Sequence, residues 1–253
     1  MYNAVIQEVE QSIPRSTDEL QIDYDFIQET KQGLHEVLMM AVPKDVVESY
    51  MELFNILDLV PVLIKSNIDA TVGAIIDEGD ADKTSVIIDF GSITTDLAIF
   101  DKSIRVTGTL NEGGQHLTKL VADRYEVDME QANVTKMLHG VNSRREDKNL
   151  LPLFEKYFDM LFIEIKKIIR FFEDRNSGEA KVQQIIAIGG GANMPGVAEI
   201  INKNIGLPVK IVNEIPGVSF DKMEVPSEDK VSLFATAFGL SLAGSDFIKK
   251  VQV

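Results

Sequence analysis

Residues 85–100 have the sequence Ser-Val-Ile-Ile-Asp-Phe-Gly-Ser-Ile-Thr-Thr-Asp-Leu-Ala-Ile-Phe, which predicts two apolar strands joined by a short turn. The first strand is apolar enough to be buried on both faces of a sheet, so the sheet would hold the carboxylate of Asp89 in place. Gly91 permits a sharp turn or a close approach of the backbone to a ligand. Hydroxyl side chains follow at Ser92, Thr94 and Thr95. This turn suits a phosphate with a hydrated Mg²⁺ nearby, while an ordinary hairpin with a polar turn remains an open alternative.

A second glycine cluster follows a second apolar segment. Val182–Ile188 is a predicted strand, three consecutive glycines come directly after it, and a helical pattern then runs through Asn204. A backbone without side chains can lie against a ring or a sugar, and Pro195 suits the first turn of the helix that follows. A flexible strand-to-helix loop would explain a lone glycine run. Two turns of this kind at strand ends in one chain favour a site for a phosphorylated ligand.

These segments resemble nucleotide-binding motifs of the actin/Hsp70/FtsA superfamily. Asp89–Asp96 is similar to its second phosphate motif, and Gly189–Gly196 is similar to its adenosine motif. Within the superfamily the chain most resembles the PilM family of type IV pilus assembly, from about Val5 to about Ala243. Further points of similarity are Glu8–Pro14, Asp23-Tyr24, Val37–Ala41, Leu57–Pro61, Gly113-Gly114, Glu164-Ile165 and Phe171-Phe172.

The resemblance implies an α/β architecture with the actin-like (ribonuclease H-like) ATPase fold, N-terminally incomplete and with a small inserted α/β subdomain. It divides the chain into four parts. We expect a small subdomain of the PilM and FtsA type at 1–55, a connecting strand and helix at 56–79, a second actin-like lobe with the nucleotide motifs at 80–215, and a linker with a C-terminal helix returning to the first lobe at 216–253.

The same resemblance predicts ATP or ADP with Mg²⁺ as the cofactor, and Asp89 as the residue that holds the metal. No residue is assigned to catalysis. Glu164 and Lys167 belong to the predicted site because the family's long helix passes near the purine, although a solvated helix face also explains their charges. The predicted cofactor-binding residues are Asp89, Gly91, Ser92, Thr94, Thr95, Asp96, Gly113, Gly114, Glu164, Lys167, Gly189, Gly190, Gly191 and Ala192.

Two departures from the family pattern argue against efficient catalysis. Before Ser85 the chain contains three glycines, at 33, 73 and 79, and none follows an Asp-x pattern at the end of a strand, so the first phosphate motif is missing. We therefore expect that a portion on the order of one small domain precedes this chain in the intact family. Asn67 occupies the place where the family commonly has a metal-supporting glutamate. Because phosphoryl transfer depends on the placement of charge, we expect weak nucleotide binding and negligible turnover.

Composition and resemblance together predict the partners and the location. The net charge of −15 argues against nucleic acid and anionic lipid as partners, and there is no cysteine for a disulfide framework. No apolar run approaches the ~20 residues that cross a bilayer, so we expect no direct membrane insertion. The family implies a cytoplasmic scaffold, peripheral to the inner membrane, that binds the N-terminal tail of a PilN-like membrane protein and other proteins of the pilus or a related secretion platform.

Two other functions within the superfamily stay open at this point. An FtsA-like division scaffold would be favoured by a C-terminal amphipathic helix for the membrane, but Ser245–Val253 is short and polar. A catalytic kinase or ATPase would need the first phosphate motif and a carboxylate on the substrate side, and neither is found.

Four local patterns make predictions that the structure can check. Val60–Ile64 is predicted as a strand, and the apolar stripe of the helix opened by Pro43 and Asp45 is predicted to pack in the core. His139–Asn149 is predicted as a solvated loop, and Lys230–Ala243 as the final helix. The stripe consists of Val46, Val47, Tyr50, Met51, Phe54 and Leu57.

Overall fold

The computed structural model describes residues 2–29, 33–141, 149–176, 180–216, 218 and 231–251. The contacts divide the chain into two compact units, one extending to Ile64 and one beginning at Lys65. Most of the predicted loop at His139–Asn149 lies outside the described residues, and so do residues 217 and 219–230 of the segment predicted as a linker and C-terminal helix at 216–253. The division into four parts stays a prediction.

The first unit combines a β-hairpin with two helices. Its small core joins two positions of α1 to the first half of β1, where buried and exposed residues alternate as expected for a strand with one covered face. The core residues are Val5, Val9, Leu20 and Ile22. The elements are α1 (Tyr2–Ser12), β1 (Leu20–Glu29), β2 (His35–Pro43) and α2 (Lys44–Ile56), and β1 pairs antiparallel with β2.

Two predictions in this unit are wrong. No residue of α2 is buried, and Tyr50 in its apolar stripe is 57% exposed. The segment Val60–Ile64 forms no strand, and Val60 is 87% exposed. An apolar stripe identifies the face that a helix or strand would bury, but it does not specify that another element lies there to cover it. These side chains therefore form an exposed apolar surface.

The second unit is built on a five-stranded sheet with the order β5-β4-β3-β6-β7. β3, β4 and β5 form an antiparallel meander, and β6 runs parallel to β3. Because β3 and β6 are central strands covered on both faces, both are almost continuously apolar. The strands are β3 (Ser85–Phe90), β4 (Thr95–Asp101), β5 (Ser103–Leu110), β6 (Gln184–Ile188) and β7 (Val209–Ile211).

Helices cover the two faces of this sheet. Ile88 and Phe90 point into the large core, where the long apolar stripe of α6 packs, and Tyr157 of α6 reaches Thr95. Residues alternate along β3, so Asp89 lies on the opposite face, towards α3. The helices are α3 (Asn67–Ile75), α4 (Gly114–Tyr125), α5 (Met129–His139), α6 (Leu151–Arg175), α7 (Val197–Ile205) and α8 (Ala235–Val251). Among the described residues, no helix is both long and apolar enough to cross a membrane.

α3 and α8 cross at very short range in the second unit. The N-terminus of α3 is capped by Ser66, whose side chain accepts a hydrogen bond from the backbone N–H of Asp69. At the crossing, a Cβ atom on Gly239 would overlap the carbonyl oxygen of Ala70. α8 begins at Ala235, after a 3₁₀ turn at Ser232–Phe234, and it continues past the predicted end at Ala243.

Replacing Gly239 by alanine is expected to force α3 and α8 apart. The added methyl group would overlap a backbone carbonyl, which cannot move aside as a flexible side chain would. We expect Gly239→Ala to lower the free energy of unfolding by at least about 3 kcal/mol, measured by urea denaturation. Gly244→Ala in the same helix is the control, because among the described residues no atom outside the neighbouring residues and the backbone of the helix lies within 4 Å of its added Cβ. It should be neutral or stabilising by about 0.5–1 kcal/mol, and equal losses in the two variants would contradict the crossing.

Candidate functional site

A cavity of about 1030 Å³ lies at the carboxyl ends of β3 and β6. Parallel strands bring their carboxyl ends to one edge of a sheet, which is where open α/β sheets bind ligands. Asp89 and the segment Gly189–Gly191 both line this cavity, so the two predicted motifs meet at one place. The predicted site residues that line it are Asp89, Gly91, Ser92, Thr94, Asp96, Gly114, Gly189, Gly190 and Gly191.

Two carboxylates face each other across the β3–β4 hairpin. Asp89 is paired directly with Asp96 in the antiparallel register, so both side chains lie on the same face. Asp89 accepts a hydrogen bond from Thr71 at 3.2 Å, and Asp96 accepts bonds from Thr94 at 3.3 Å and Thr109 at 2.8 Å. Burial raises the pKa of Asp89, and the nearby charge of Asp96 raises it further, against the opposing hydrogen bond from Thr71. A cation beside this pair would stabilise its ionised form.

The glycine bend after β6 passes directly over the end of β3. A Cβ atom on Gly189 would lie 2.6 Å from Oδ1 of Asp89 and 2.7 Å from the carbonyl oxygen of Phe90. Gly189 also has a φ of +88°, which is unfavourable for any residue with a side chain. A Cβ on Gly191 would lie 2.9 Å from Cβ of Phe90. The glycines therefore let the backbone approach the Asp89 carboxylate and add no side chains of their own to that edge of the cavity.

The turn after β3 is supported by the start of α4. The N–H of Gly114 donates to the carbonyl of Gly91 at 2.9 Å, and the N–H of Gln115 donates to Ser92 at 2.8 Å. A Cβ on Gly113 would lie 2.7 Å from the same Gly91 oxygen. Gly113 thus allows α4 to pack against the turn, but Gly113 itself does not line the cavity.

Four other predicted site residues lie away from the cavity. Thr95 is fully buried, donates to the carbonyl of Glu112 at 3.0 Å and lies 2.8 Å from the hydroxyl of Tyr157. Ala192 is buried in the core.

Glu164 and Lys167 pair with each other at 3.0 Å on α6. A Cβ added at Gly108 of β5 would lie 3.2 Å from Oε1 of Glu164, so this carboxylate packs beside β5. Neither residue lines the cavity, so their placement near the purine stays a prediction. The solvated helix face, weighed as the alternative, accounts for Lys167, whose side chain is 69% exposed.

Sequence reasoning missed Lys136, a buried lysine that lines the cavity. Its side chain donates to the carbonyl of Gly114 at 3.0 Å and to the hydroxyl of Thr118 at 2.8 Å. Burial lowers the pKa of its ammonium group. One feature of the sequence could have indicated that Lys136 is buried. It lies four residues after Ala132, so the two residues share one face of α5, and Ala132 is fully buried. That signal is weak because most lysines are solvated.

Residues from α3 and from the segment leading into α8 complete the cavity. Asn67 lines it, at the place where the resemblance implies a glutamate. Ser232 lines it as well, and its buried hydroxyl has no hydrogen-bond partner among the described residues. Thr236 of α8 also lines the cavity. No local pattern links Ser232 or Thr236 to Asp89, because more than 100 residues separate them in the sequence.

The described residues contain no cluster of three or more His, Cys, Asp or Glu side chains that could hold a metal ion by itself. Mg²⁺ does not need such a cluster, since it binds through one or two carboxylates together with ligand phosphates and water. The pair of Asp89 and Asp96 and the unpartnered Ser232 hydroxyl therefore fit a phosphorylated ligand that brings Mg²⁺ with it.

Replacing Gly189 by alanine tests the close approach of the two motifs. The new methyl group would collide with Asp89 and Phe90, so we expect a loss of at least about 3 kcal/mol in the free energy of unfolding. Gly206→Ala is the matched control, because Gly206 also has a positive φ, of +82°, but open space around its added Cβ. Gly206→Ala should lower the free energy of unfolding by only about 1–2 kcal/mol, which is the cost of a positive φ in a residue with a side chain. Equal losses, measured by urea denaturation, would contradict the contact.

Comparisons with solved structures place this fold among actin-like proteins. The chain is similar to a PilM–PilN type IV pilus biogenesis complex, with 20% identity, a TM-score of 0.74, and coverage of 96% of this chain and 72% of that chain. It is similar to MreB5 of Spiroplasma citri bound to AMPPNP, with 19% identity, a TM-score of 0.61, and coverage of 83% and 67%. It is also similar to the ethanolamine utilization protein EutJ from Carboxydothermus hydrogenoformans, with 18% identity, a TM-score of 0.51, and coverage of 77% and 60%.

These likenesses show an actin-like α/β fold. The comparison with curated proteins gave no match. The family model described as type IV pilus assembly protein PilM matches residues 1–245. The chain therefore belongs to the PilM family of type IV pilus assembly proteins.

Proposed function

We propose that this protein is a nucleotide-binding scaffold of the inner-membrane platform of a type IV pilus or a related secretion system. The observation that carries the nucleotide part is the meeting of the Asp89 hairpin and the Gly189–Gly191 bend in one cavity. The actin-like fold of MreB5, a protein solved with bound AMPPNP and with ADP, supports an adenine nucleotide as the ligand.

The cavity residues divide into three roles in this proposal. Asp89 and Asp96 hold Mg²⁺, which neutralises phosphate charge when bound. The Ser92 hydroxyl and the N–H groups of the turn bind phosphate oxygens, because hydroxyls and backbone amides donate to them, while Thr94 donates to Asp96 and holds that carboxylate. The Gly189–Gly191 backbone lies along the adenosine, and the ammonium group of Lys136 adds a positive charge.

The proposed role is to bind the nucleotide with negligible hydrolysis. The resemblance implies two phosphate-binding turns. In the described part of the chain, a single turn of this kind, at residues 91–94, lines the cavity. Asn67, which also lines the cavity, is neutral where the resemblance implies a carboxylate. Phosphoryl transfer depends on such charges, so binding can persist where turnover does not. The segment expected to precede this chain stays a prediction.

Calorimetric titration with ADP or ATP, with and without Mg²⁺, tests the nucleotide site. We expect weak, saturable one-to-one binding that Mg²⁺ strengthens. Asp89→Asn should weaken the nucleotide affinity measured with Mg²⁺ at least about tenfold, because the amide is a poorer metal ligand than the carboxylate. Asp123→Asn, at an exposed position on α4, should bind like the unchanged protein. Equal Mg²⁺ dependence in Asp89→Asn would contradict the site, and measurable hydrolysis would contradict the binding-only role.

The partner part of the proposal is the N-terminal tail of a PilN-like membrane protein, which would hold this chain at the cytoplasmic face of the inner membrane, alongside other platform proteins. The fold likeness to the PilM–PilN complex covers 96% of this chain. The exposed apolar face of α2 offers a surface for apolar side chains, and acidic residues greatly outnumber basic ones in residues 1–64. Such a surface fits a short peptide that carries both apolar and basic residues.

Retention of an immobilised PilN-like tail peptide tests this partner. The double variant Tyr50→Ala/Leu57→Ala should lose most of the retention while folding normally, because both side chains belong to the apolar stripe and are more than half exposed. Ser49→Ala, an exposed position on the same helix, should leave retention unchanged. Retention no greater than that of a scrambled peptide would contradict the partner, and full retention of the double variant would contradict the α2 surface.

A further inference from the structure

Two threonine hydroxyls connect α8 to the Asp89 carboxylate through the interior of the second unit. Oγ1 of Thr236 lies 2.9 Å from Oγ1 of Thr71, and Oγ1 of Thr71 lies 3.2 Å from Oδ2 of Asp89. Thr71 is fully buried in α3. Three elements that are far apart in the sequence therefore meet through one line of oxygen atoms.

The direction of these hydrogen bonds follows from proton counting. An ionised carboxylate can only accept, so the single hydroxyl proton of Thr71 is donated to Asp89. Thr71 then has no proton left for its neighbour, and Thr236 must donate to Thr71. Each bond in such a chain polarises the next one, so Thr236 makes Thr71 a better donor to the carboxylate.

The hydrogen bond from Thr71 restricts the terminal side-chain torsion of Asp89. The terminal torsion of an aspartate has a broad energy profile, so its carboxylate plane is not fixed by its own rotamer preference. The Gly189 backbone confines Oδ1 from one side, since a Cβ there would be 2.6 Å away. Thr71 holds Oδ2. The two contacts together determine which way the carboxylate faces.

The helix crossing fixes the position of the two hydroxyls. Thr71 follows Ala70, whose carbonyl lies against Gly239, and Thr236 is three residues before Gly239 on the same face of α8. The backbone contact at the crossing leaves no clearance for the helices to approach further. The separation of Thr71 and Thr236 is therefore set by packing.

We propose that Thr71 and Thr236 are a positioning pair that orients the Asp89 carboxylate towards the metal of a bound Mg²⁺–nucleotide. Neither residue needs to touch the ligand phosphates for this role. The inference rests on the proposed function, because it assigns Asp89 to the metal.

The test compares ADP affinity with Mg²⁺ and with a chelator in four variants. Thr71→Val keeps the shape of the side chain but removes the donor, so the gain in affinity from Mg²⁺ should fall about tenfold while the affinity in chelator stays the same. Thr236→Val should reduce the gain by a smaller factor, because Thr71 can still donate. Thr71→Ser should restore the gain. Thr84→Val, at a buried threonine before β3 and remote from Asp89, should behave like the unchanged protein.

Three outcomes would overturn the positioning role. The first is an unchanged Mg²⁺ gain in Thr71→Val. The second is an equal loss of affinity with and without Mg²⁺, which would indicate a deformed cavity instead of a misdirected carboxylate. The third is a Thr71→Ser variant that fails to recover.

A protein that binds no nucleotide at all would contradict the proposed function, and the positioning pair would then be judged by urea unfolding. The variants Thr71→Val and Asp89→Asn, alone and combined, should show a non-additive change of at least about twofold in the unfolding equilibrium constant. Strict additivity would show that Thr71 does not act on Asp89, and it would overturn the inference without reference to a ligand.

Discussion

The second unit depends on the close contact between the bend after β6 and the carboxyl end of β3. Parallel pairing brings Ile188 beside Asp89, and the chain then turns at Gly189 over the carboxylate with no room for a side chain. The contact closes one wall of the cavity and presents bare backbone there. Gly189 therefore contributes both to the packing at the end of β3 and to one wall of the cavity. A substitution at Gly189 is expected to change both.

The negative charges that line the cavity favour a bound cation. Burial raises the pKa of Asp89, and Asp96 lies opposite it on the same face of the hairpin. Lys136 contributes a positive charge, but its ammonium group is bound to the start of α4 and to Thr118. The like charges of Asp89 and Asp96 and the Ser232 hydroxyl, which has no hydrogen-bond partner among the described residues, are local costs of the kind that functional sites commonly carry.

Local patterns in the sequence predicted β3, β4 and β6 and the part of the cavity that the ends of these strands supply, but they did not predict β7. The runs of β3 and β6 are apolar because both strands are central, and the glycines follow them because the backbone must bend there. Tertiary contacts decide the rest. Thr71 and Thr236 are 165 residues apart and meet only through the crossing of α3 and α8. Glu164 and Lys167 lie outside the cavity lining, since the apolar stripe of α6 sets the rotation of that helix about its axis, and their role near the purine stays a prediction. No residue of α2 is buried, because an apolar stripe marks a face of a helix without specifying an element to cover it.

The most direct measurement is a backbone amide NMR titration of the protein with ADP and Mg²⁺. The account predicts that the residues of the turn after Asp89, at 91–95, and the bend at Gly189–Gly191 shift together and saturate at the same ligand concentration. Shifts in only one of these segments, or separate saturation of the two, would contradict the claim that they form one binding site.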